Sequence, residues 1–411
     1  MQGSRASNRL KFGYTALAAL LFVWLTCLVA VALTAFVPQM YFFSYFSVDY
    51  TLGFARRGLA GELLDLFPAD QYFTGLLTLR WLVSALFIVS LGAVAYTATV
   101  RFGRSERRLM LALLLPVLPF GFAFAIFCPH TDLLGAAALA AFAAMLGWCN
   151  EDRSIVLGST AYGLITAILT LVHEAIPVLF SLGAILAIVV LTTGRSVRVQ
   201  RLCAVVAVAP GLVITMTTVL LGRHGITSEL CALVPHRLVD WPAAGNLTMG
   251  QMLSGQHSYV DYNDWVCRVI IKRLDQTPTD ASRFVASIGA GPLIAMTVFG
   301  IIVFALTIVA IRRISGVPFR RFCAVVRPRI TWVLLAILLI VPAFATAVDW
   351  IRWWVTISFD VGVVYLLYVS SQPEAAQPPS RRTRVLFVVG GILLALLPIG
   401  IIPNVGIPIP V

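Results

Sequence analysis

An arginine pair, two histidine–acid stretches and an acid–arginine–tryptophan stretch stand out in a chain with little other charge. Arg56-Arg57 lies between Asp49 and Glu62. Cys128-Pro129-His130-Thr131-Asp132, His173-Glu174 and Asp349-Trp350-Ile351-Arg352-Trp353-Trp354 follow. A guanidinium matches phosphate as a bidentate fork. A carboxylate or an imidazole can take the proton of an attacking hydroxyl. Tryptophan offers an apolar face and a polar edge, which suits a sugar ring. The candidate chemistry is therefore group transfer from a phosphate-linked donor. Arg56, Arg57 and Arg352 would bind phosphate; Asp49, His130, Asp132, His173 and Glu174 would handle protons. Trp350 and Trp353 would stack on the sugar, with Asp349 and Glu62 supporting them.

Each stretch also has a purely structural reading. Arg56 and Arg57 would pair with Asp49 and Glu62 on a juxtamembrane helix and touch lipid headgroups. Asp132 or Thr131 would cap the next helix, which leaves His130 unexplained. His173 and Glu174 would be a satisfied pair in a tight turn. Asp349 and Arg352, at i, i+3, would share a helix face, and the tryptophans would anchor the chain at the membrane interface.

The elements that must hold these groups are membrane helices. Of 411 residues, 60% are hydrophobic and 12% charged, about half the charge of a soluble domain. The mean hydropathy is +0.93. A soluble enzyme, a disordered chain and a small disulfide scaffold are excluded. Eleven apolar runs qualify as spans: 14–37, 76–99, 109–127, 133–149, 155–172, 175–193, 202–222, 286–311, 330–348, 354–370 and 385–403. The expected fold is all-α and polytopic, one transmembrane domain over 1–411. The first run is too long for a cleaved signal peptide. Twenty of the 30 basic residues fall in alternate loops, among them Arg101–Arg108, Arg195–Arg201, Arg312–Arg329 and Arg381–Arg384. By the positive-inside rule these loops are cytoplasmic, so the N-terminus is inside and the C-terminus outside. The net charge of +12 then reports orientation and gives no reason to expect nucleic acid.

All five histidines and 13 of the 18 acidic residues fall on the outer side. A large outer loop, 223–285, contains Asp264 to Asp275, whose apolar residues recur at helical spacing. That pattern predicts an interfacial amphipathic helix, a lid over a lipid-linked substrate or plain surface packing. Cys231 and Cys267 share this loop, and a disulfide is open to them. His257 and Asp261 would share a metal if helical, but the spacing matches no zinc pattern; no metal or other cofactor is assigned. No nucleotide-binding motif, internal repeat or broken midplane helix is legible.

An outward site of this make-up suits a sugar donor carried on a polyprenyl phosphate or diphosphate. The helix-rich layout, with Asp49 in the first outer loop and the later loop 223–285, resembles the C-superfamily of membrane glycosyltransferases. It is also similar to the polytopic polymerases and ligases of bacterial surface polysaccharides, with Arg56, Arg57 and Arg352 as the outward arginines. The resemblance implies Asp49 as catalytic base, arginines on phosphate, and His130, Asp132, His173 and Glu174 lining the same cavity. The expectation is a multi-pass transferase of the bacterial inner membrane, active at the periplasmic face. Its partners would be a polyprenyl-linked glycan donor, a glycan or lipid acceptor and the bilayer. The alternative is a polytopic transporter or flippase of a lipid-linked or anionic substrate.

Overall fold

The computed structural model describes residues 2–35, 40–241 and 247–401. In chain order its elements are α1 (Gln2–Ala35), α2 (Met40–Ser44), α3 (Gly58–Leu64), α4 (Tyr72–Tyr96), α5 (Glu106–Leu114), α6 (Phe122–Phe127) and α7 (Asp132–Trp148). Then come α8 (Asp152–Val172), α9 (Ile176–Leu191), α10 (Val197–Leu221), α11 (Thr227–Leu233), β1 (Leu238–Asp240), α12 (Met249–Leu253), β2 (Tyr259–Asp261) and α13 (Tyr262–Val269). The chain continues with α14 (Pro278–Ser287), α15 (Ala290–Ser315), α16 (Phe319–Val326), α17 (Ile330–Thr346), α18 (Trp350–Ser371) and α19 (Arg381–Leu396). The fold is all-α and polytopic, with one two-stranded antiparallel ribbon among the described residues.

Each of the eleven apolar runs carries helix, although positions 36–37 and 402–403 at the outer limits of the first and last runs lie outside the described residues. Among the described residues eight helical segments are long and apolar enough to cross a membrane, the interrupted segment Glu106–Phe127 among them. Helices α7 and α9 have 17 and 16 residues. At about 1.5 Å per residue they fall short of a roughly 30 Å hydrocarbon core. Both lie inside the bundle: α9 is buried along almost its whole length, and more than half the residues of α7 are buried. Helices α1, α10, α15 and α17 instead expose leucines, valines and isoleucines such as Leu20, Val213, Ile294 and Leu338. That is the outward-facing apolar surface expected of helices solvated by lipid. Small residues allow close crossings. A Cβ on Gly163 of α8 would lie 1.9 Å from the Val206 carbonyl of α10, so only glycine fits there.

The run 109–127 is not one continuous helix. After α5 a 3-10 turn, Leu115–Val117, leads to Gly121, whose N–H donates to Leu118 O at 2.7 Å, before α6 begins. Pro116 and Pro119 lack the N–H groups that continuous helix needs. Arg80 Nη2 and Ser84 Oγ of α4 donate to the α6 carbonyls of Ile126 and Ala125 at 2.8 and 2.6 Å. These donors satisfy the C-terminal end of α6, where Pro129 has no N–H to offer Ala125 O.

The loops separate into the two sets the charges foretold. At one end Glu106 accepts from Tyr14 and Arg384, Arg107 donates to Ile314 O, and Arg101 donates to Asn150. At the other end residues 45–62, 130–132, 173–174 and 349–352 meet, as the next section describes.

Candidate functional site

Segment 45–57 is folded by close backbone approaches. Gly61 N–H donates to Val48 O at 3.0 Å, and a Cβ on Gly58 would lie 2.1 Å from the Tyr50 ring. The chain enters α3 through Arg57, the one non-glycine residue with positive φ (67°) among the described residues. This left-handed conformation is uncommon for residues other than Gly, Asn and Asp.

The turn aims both arginines at Glu174. Arg57 Nε and Nη2 donate to Glu174 Oε2 and Oε1, each at 3.0 Å, and Arg56 Nη2 donates to Oε1. The Arg57 guanidinium also lies over the Tyr45 ring, 4.5 Å from its centroid. Tyr45 meets His173 edge to face at 4.9 Å and His130 at 6.3 Å. His173 Nδ1 is 2.6 Å from Asp132 Oδ1. Arg352 donates to Asp132 Oδ2 through Nη1, and to Asp349 Oδ2 at 2.6 Å through Nη2. Three arginines thus meet three carboxylates in one network drawn from four distant parts of the chain.

Burial sets the electrostatics. Asp132 and His173 are 4% and 5% exposed. Burial opposes ionisation of Glu174, but Arg57 and Arg56 outweigh it and hold the carboxyl well below its ordinary range. Burial likewise opposes the charge on Asp349, and Arg352 brings its pKa down. His130 is driven the other way for a base: burial and then Arg352 push it down to about 3, so it is neutral. Among the described residues its Nδ1 has no hydrogen-bond partner, nor do Arg56 Nε and Arg352 Nε. His130 and Asp132 also line a narrow cavity floored by Phe120, Phe180, Val355 and Phe359, where a water's centre has about 10 Å3 to occupy. That is space for about one water.

Several expected site residues stand elsewhere. Arg56 and Arg57 do not pair with Asp49 or Glu62. Asp49 accepts from Thr51 N–H at 2.9 Å and from the Thr51 hydroxyl, while Glu62 accepts from Tyr50 N–H at 3.0 Å. Both lie near Asp65, whose carboxyl is raised by burial and then by Asp49 and Glu62. Trp353 is 3% exposed and packs on Phe344, so it has no open face for a sugar. Trp350 donates to Phe344 O and Ala347 O and borders an apolar groove with Ala290, Leu293 and Val298.

The long loop differs from expectation too. Residues 264–275 form most of α13 and a following 3-10 turn, as the spacing predicted. The apolar face, however, meets protein. Trp265 is fully buried, edge-on to Tyr41 at 5.0 Å, and Tyr262 Oη is 2.8 Å from Ser47 Oγ. No apolar stripe is left over for an interfacial lid. His257 and Asp261 are not on one helix. Asp261 belongs to β2, and each pairs elsewhere, His257 with Asp240 and Asp261 with His236. Cys231 and Cys267 are joined in a disulfide.

One member of the site, Tyr45, and one buried cation outside it, Arg80, went unnoticed in the sequence. Tyr45 gave no signal beyond being one aromatic among many. Arg80, 1% exposed with Trp81 beneath its guanidinium, was legible as a lone arginine inside an apolar run.

Comparison with known proteins places the chain among membrane proteins. It is 41% identical over 366 residues to "Uncharacterized protein Rv1490" of Mycobacterium tuberculosis (strain ATCC 25618 / H37Rv), an alignment covering 88% of this chain and 84% of the relative. "Uncharacterized protein Mb1527" of Mycobacterium bovis matches with the same identity and coverage. No solved structure matches. The family profile described as "Uncharacterised membrane protein Rv1490" spans residues 14–395, which include every residue of the network, and the chain belongs to that family.

Proposed function

We propose that the chain is a membrane glycosyltransferase that takes a sugar from a polyprenyl-phosphate or polyprenyl-diphosphate donor at the periplasmic face of a bacterial inner membrane. One observation carries the reading. Residues 56–57, 130–132, 173–174 and 349–352 converge on a single buried network of arginines, carboxylates and histidines beside a cavity. Ionisable groups are costly in such a place and are kept where they act.

In this reading the donor's phosphate takes the position now held by the Glu174 carboxylate, against Arg56 and Arg57. Arg352 adds a third cation. The acceptor hydroxyl, on a glycan or a lipid, attacks the anomeric carbon. The sugar–phosphate bond breaks, and the negative charge gathers on the leaving polyprenyl phosphate, where the arginines stabilise it. The proton passes to His173, whose ring Asp132 fixes through Nδ1. His130, neutral and with a free ring nitrogen, hydrogen-bonds the bound sugar. Asp49 stands with Glu62 and Asp65 and serves acceptor binding rather than proton transfer.

The test is a deletion strain complemented with wild type, Arg57→Ala, His173→Ala or Asp49→Asn. Envelope glycan and polyprenyl-linked sugars are measured by mass spectrometry. The reading expects the donor to accumulate and a glycan residue to disappear without wild type, with Arg57→Ala and His173→Ala failing to restore it. Unchanged glycan in the deletion strain overturns it.

Transport is the second reading, and one residue favours it. Asp360 lies inside α18, fully buried, accepts from Gly183 N–H at 3.2 Å and has no partner for Oδ1 among the described residues. Carboxylates within spans mark proton and ion paths. Movement of a lipid-linked sugar across proteoliposomes without a new glycosidic bond would select this reading.

A further inference from the structure

The long loop between α10 and α15 holds a cluster separate from the arginine network. Strands β1 and β2 pair antiparallel with Leu238 opposite Asp261. His236 lies two residues before β1. Asp261 ends β2 and caps α13, and Asp264 sits in the first turn of α13, its N–H donating to Asp261 Oδ1 at 3.2 Å. The ribbon therefore carries one imidazole to the start of a helix that carries two carboxylates. A ligand atom from each of His236, Asp261 and Asp264 lies within 4.8 Å of the other two, and His236 Nδ1 is 3.2 Å from Asp261 Oδ1.

The backbone around this cluster is fixed on both sides. The Cys231–Cys267 disulfide joins α11 to α13. Asn263 Nδ2 donates to Cys231 O at 2.9 Å and to Val234 O at 2.6 Å, and Tyr262 N–H donates to Arg237 O at 2.9 Å. Segments 231–237 and 261–267 are thus held against each other, while the His236 side chain stays 70% exposed. The donors need only rotate to close on an ion, and water can fill its remaining positions.

We propose that His236, Asp261 and Asp264 bind a divalent transition-metal ion, Zn2+ foremost. An imidazole nitrogen with two carboxylates suits Zn2+ or Co2+, whereas Mg2+ prefers oxygen ligands and keeps its waters. Ligands about 2.1 Å from zinc stand roughly 3–3.5 Å apart, so the set closes by small side-chain movements. The ion would clamp the ribbon to α13. Because Tyr262 follows Asp261 and meets Ser47, the clamp would also steady the segment that leads to Arg56 and Arg57. The second histidine–acid pair, His257 Nδ1 to Asp240 Oδ2 at 2.5 Å, has no third ligand group among the described residues and is the natural control.

The test uses the full chain in detergent, stripped with a chelator and titrated with Co2+, read by its visible absorption. A single saturable site, displaced by Zn2+ and not by Mg2+, is expected. His236→Ala should abolish it, Asp264→Asn should weaken it at least about tenfold, and His257→Ala should leave it unchanged. Mass spectrometry after alkylation confirms the disulfide in every variant, and if His236→Ala does not fold, Asp264→Asn decides alone. Absence of saturable Co2+ binding, or binding indifferent to His236→Ala and Asp264→Asn, overturns the proposal. So does equal loss in His257→Ala.

Discussion

Glu174→Gln is the sharpest perturbation of the network. It keeps the shape and one acceptor oxygen but removes the charge that faces Arg56 and Arg57. Removing one partner of a fully buried ion pair costs about 3–5 kcal/mol, and charged hydrogen bonds contribute about 1.5–3 each. The side chains here are 15% (Glu174), 16% (Arg57) and 25% (Arg56) exposed, so water screens part of the loss and roughly 2–4 kcal/mol is expected. Thermal unfolding of the detergent-purified chain measures it. The same substitution should create an anion site, because the two guanidinium groups lose their internal carboxylate. Inorganic pyrophosphate at a hundred times its dissociation constant would return about 2.7 kcal/mol. It should therefore raise the melting temperature of Glu174→Gln well above any effect on wild type, and should do nothing for Arg57→Ala. The pH dependence follows from the depressed carboxyl. The stabilisation is fully present above the unfolded value near 4.3 and is lost as pH falls through the lower folded value. The gap between wild type and Glu174→Gln should be flat from pH 5 to 8 and shrink below about pH 4. A Glu174→Gln variant as stable as wild type, or pyrophosphate protection of Arg57→Ala, would refute the reasoning.

His130, lowered to about 3, is neutral when folded and takes up a proton near pH 6.5 when unfolded. Wild-type stability should thus fall below pH 6.5 by up to about 1.4 kcal/mol per unit from this residue, and His130→Gln should flatten that slope in a series of melts. Arg80 offsets its burial with one hydrogen bond to Ile126 O and the Trp81 ring. Since apolar replacement of a buried charge is often neutral or stabilising, Arg80→Met should melt no lower than wild type, and a fall of more than about 2 kcal/mol contradicts this. The Cys231–Cys267 bridge closes a separation of 36 residues. Its removal by the double serine variant should cost the loop roughly 3–4 kcal/mol, seen as faster hydrogen exchange in 227–275 with the spans unaffected.

How much of this was legible depends on what sets each feature. Helix existence is set by apolar length, and every run appears as helix. The two loop sets are fixed by arginine bias, and Tyr14, Glu106 and Arg384 meet at one end while Arg57 and Glu174 meet at the other. Pairing depends on three-dimensional proximity, which spacing does not encode: Arg57 is near Glu62 in sequence and yet binds Glu174. Amphipathicity says that one face of α13 is covered but not by what; Trp265 packs on Tyr41, the packing alternative rather than the lid. Residues 257–261 fit helix or strand equally well, and β1 decided for strand. The prolines at 116 and 119 stand in the sequence and mark the break, but the donors that close the end of α6, Arg80 and Ser84, come from another helix, which spacing does not show.

Arg57 argues most strongly that the network is more than packing. A non-glycine residue in the left-handed region costs of order 1–3 kcal/mol, and Gly or Asn would relieve it. The chain holds arginine there at φ 67°, beside Gly58, where the Tyr50 ring leaves no space for a side chain. The turn therefore serves the direction of the Arg57 side chain. What the side chain reaches is a carboxylate already supplied with a second arginine, so one arginine would suffice if neutrality were the only purpose. Two forks on one carboxylate, with Arg56 Nε unpartnered among the described residues, suit a ligand with more acceptor oxygens than Glu174 has. In the proposed function that ligand is the donor's phosphate or diphosphate, and the strain at Arg57 would be the cost of holding both forks ready for it.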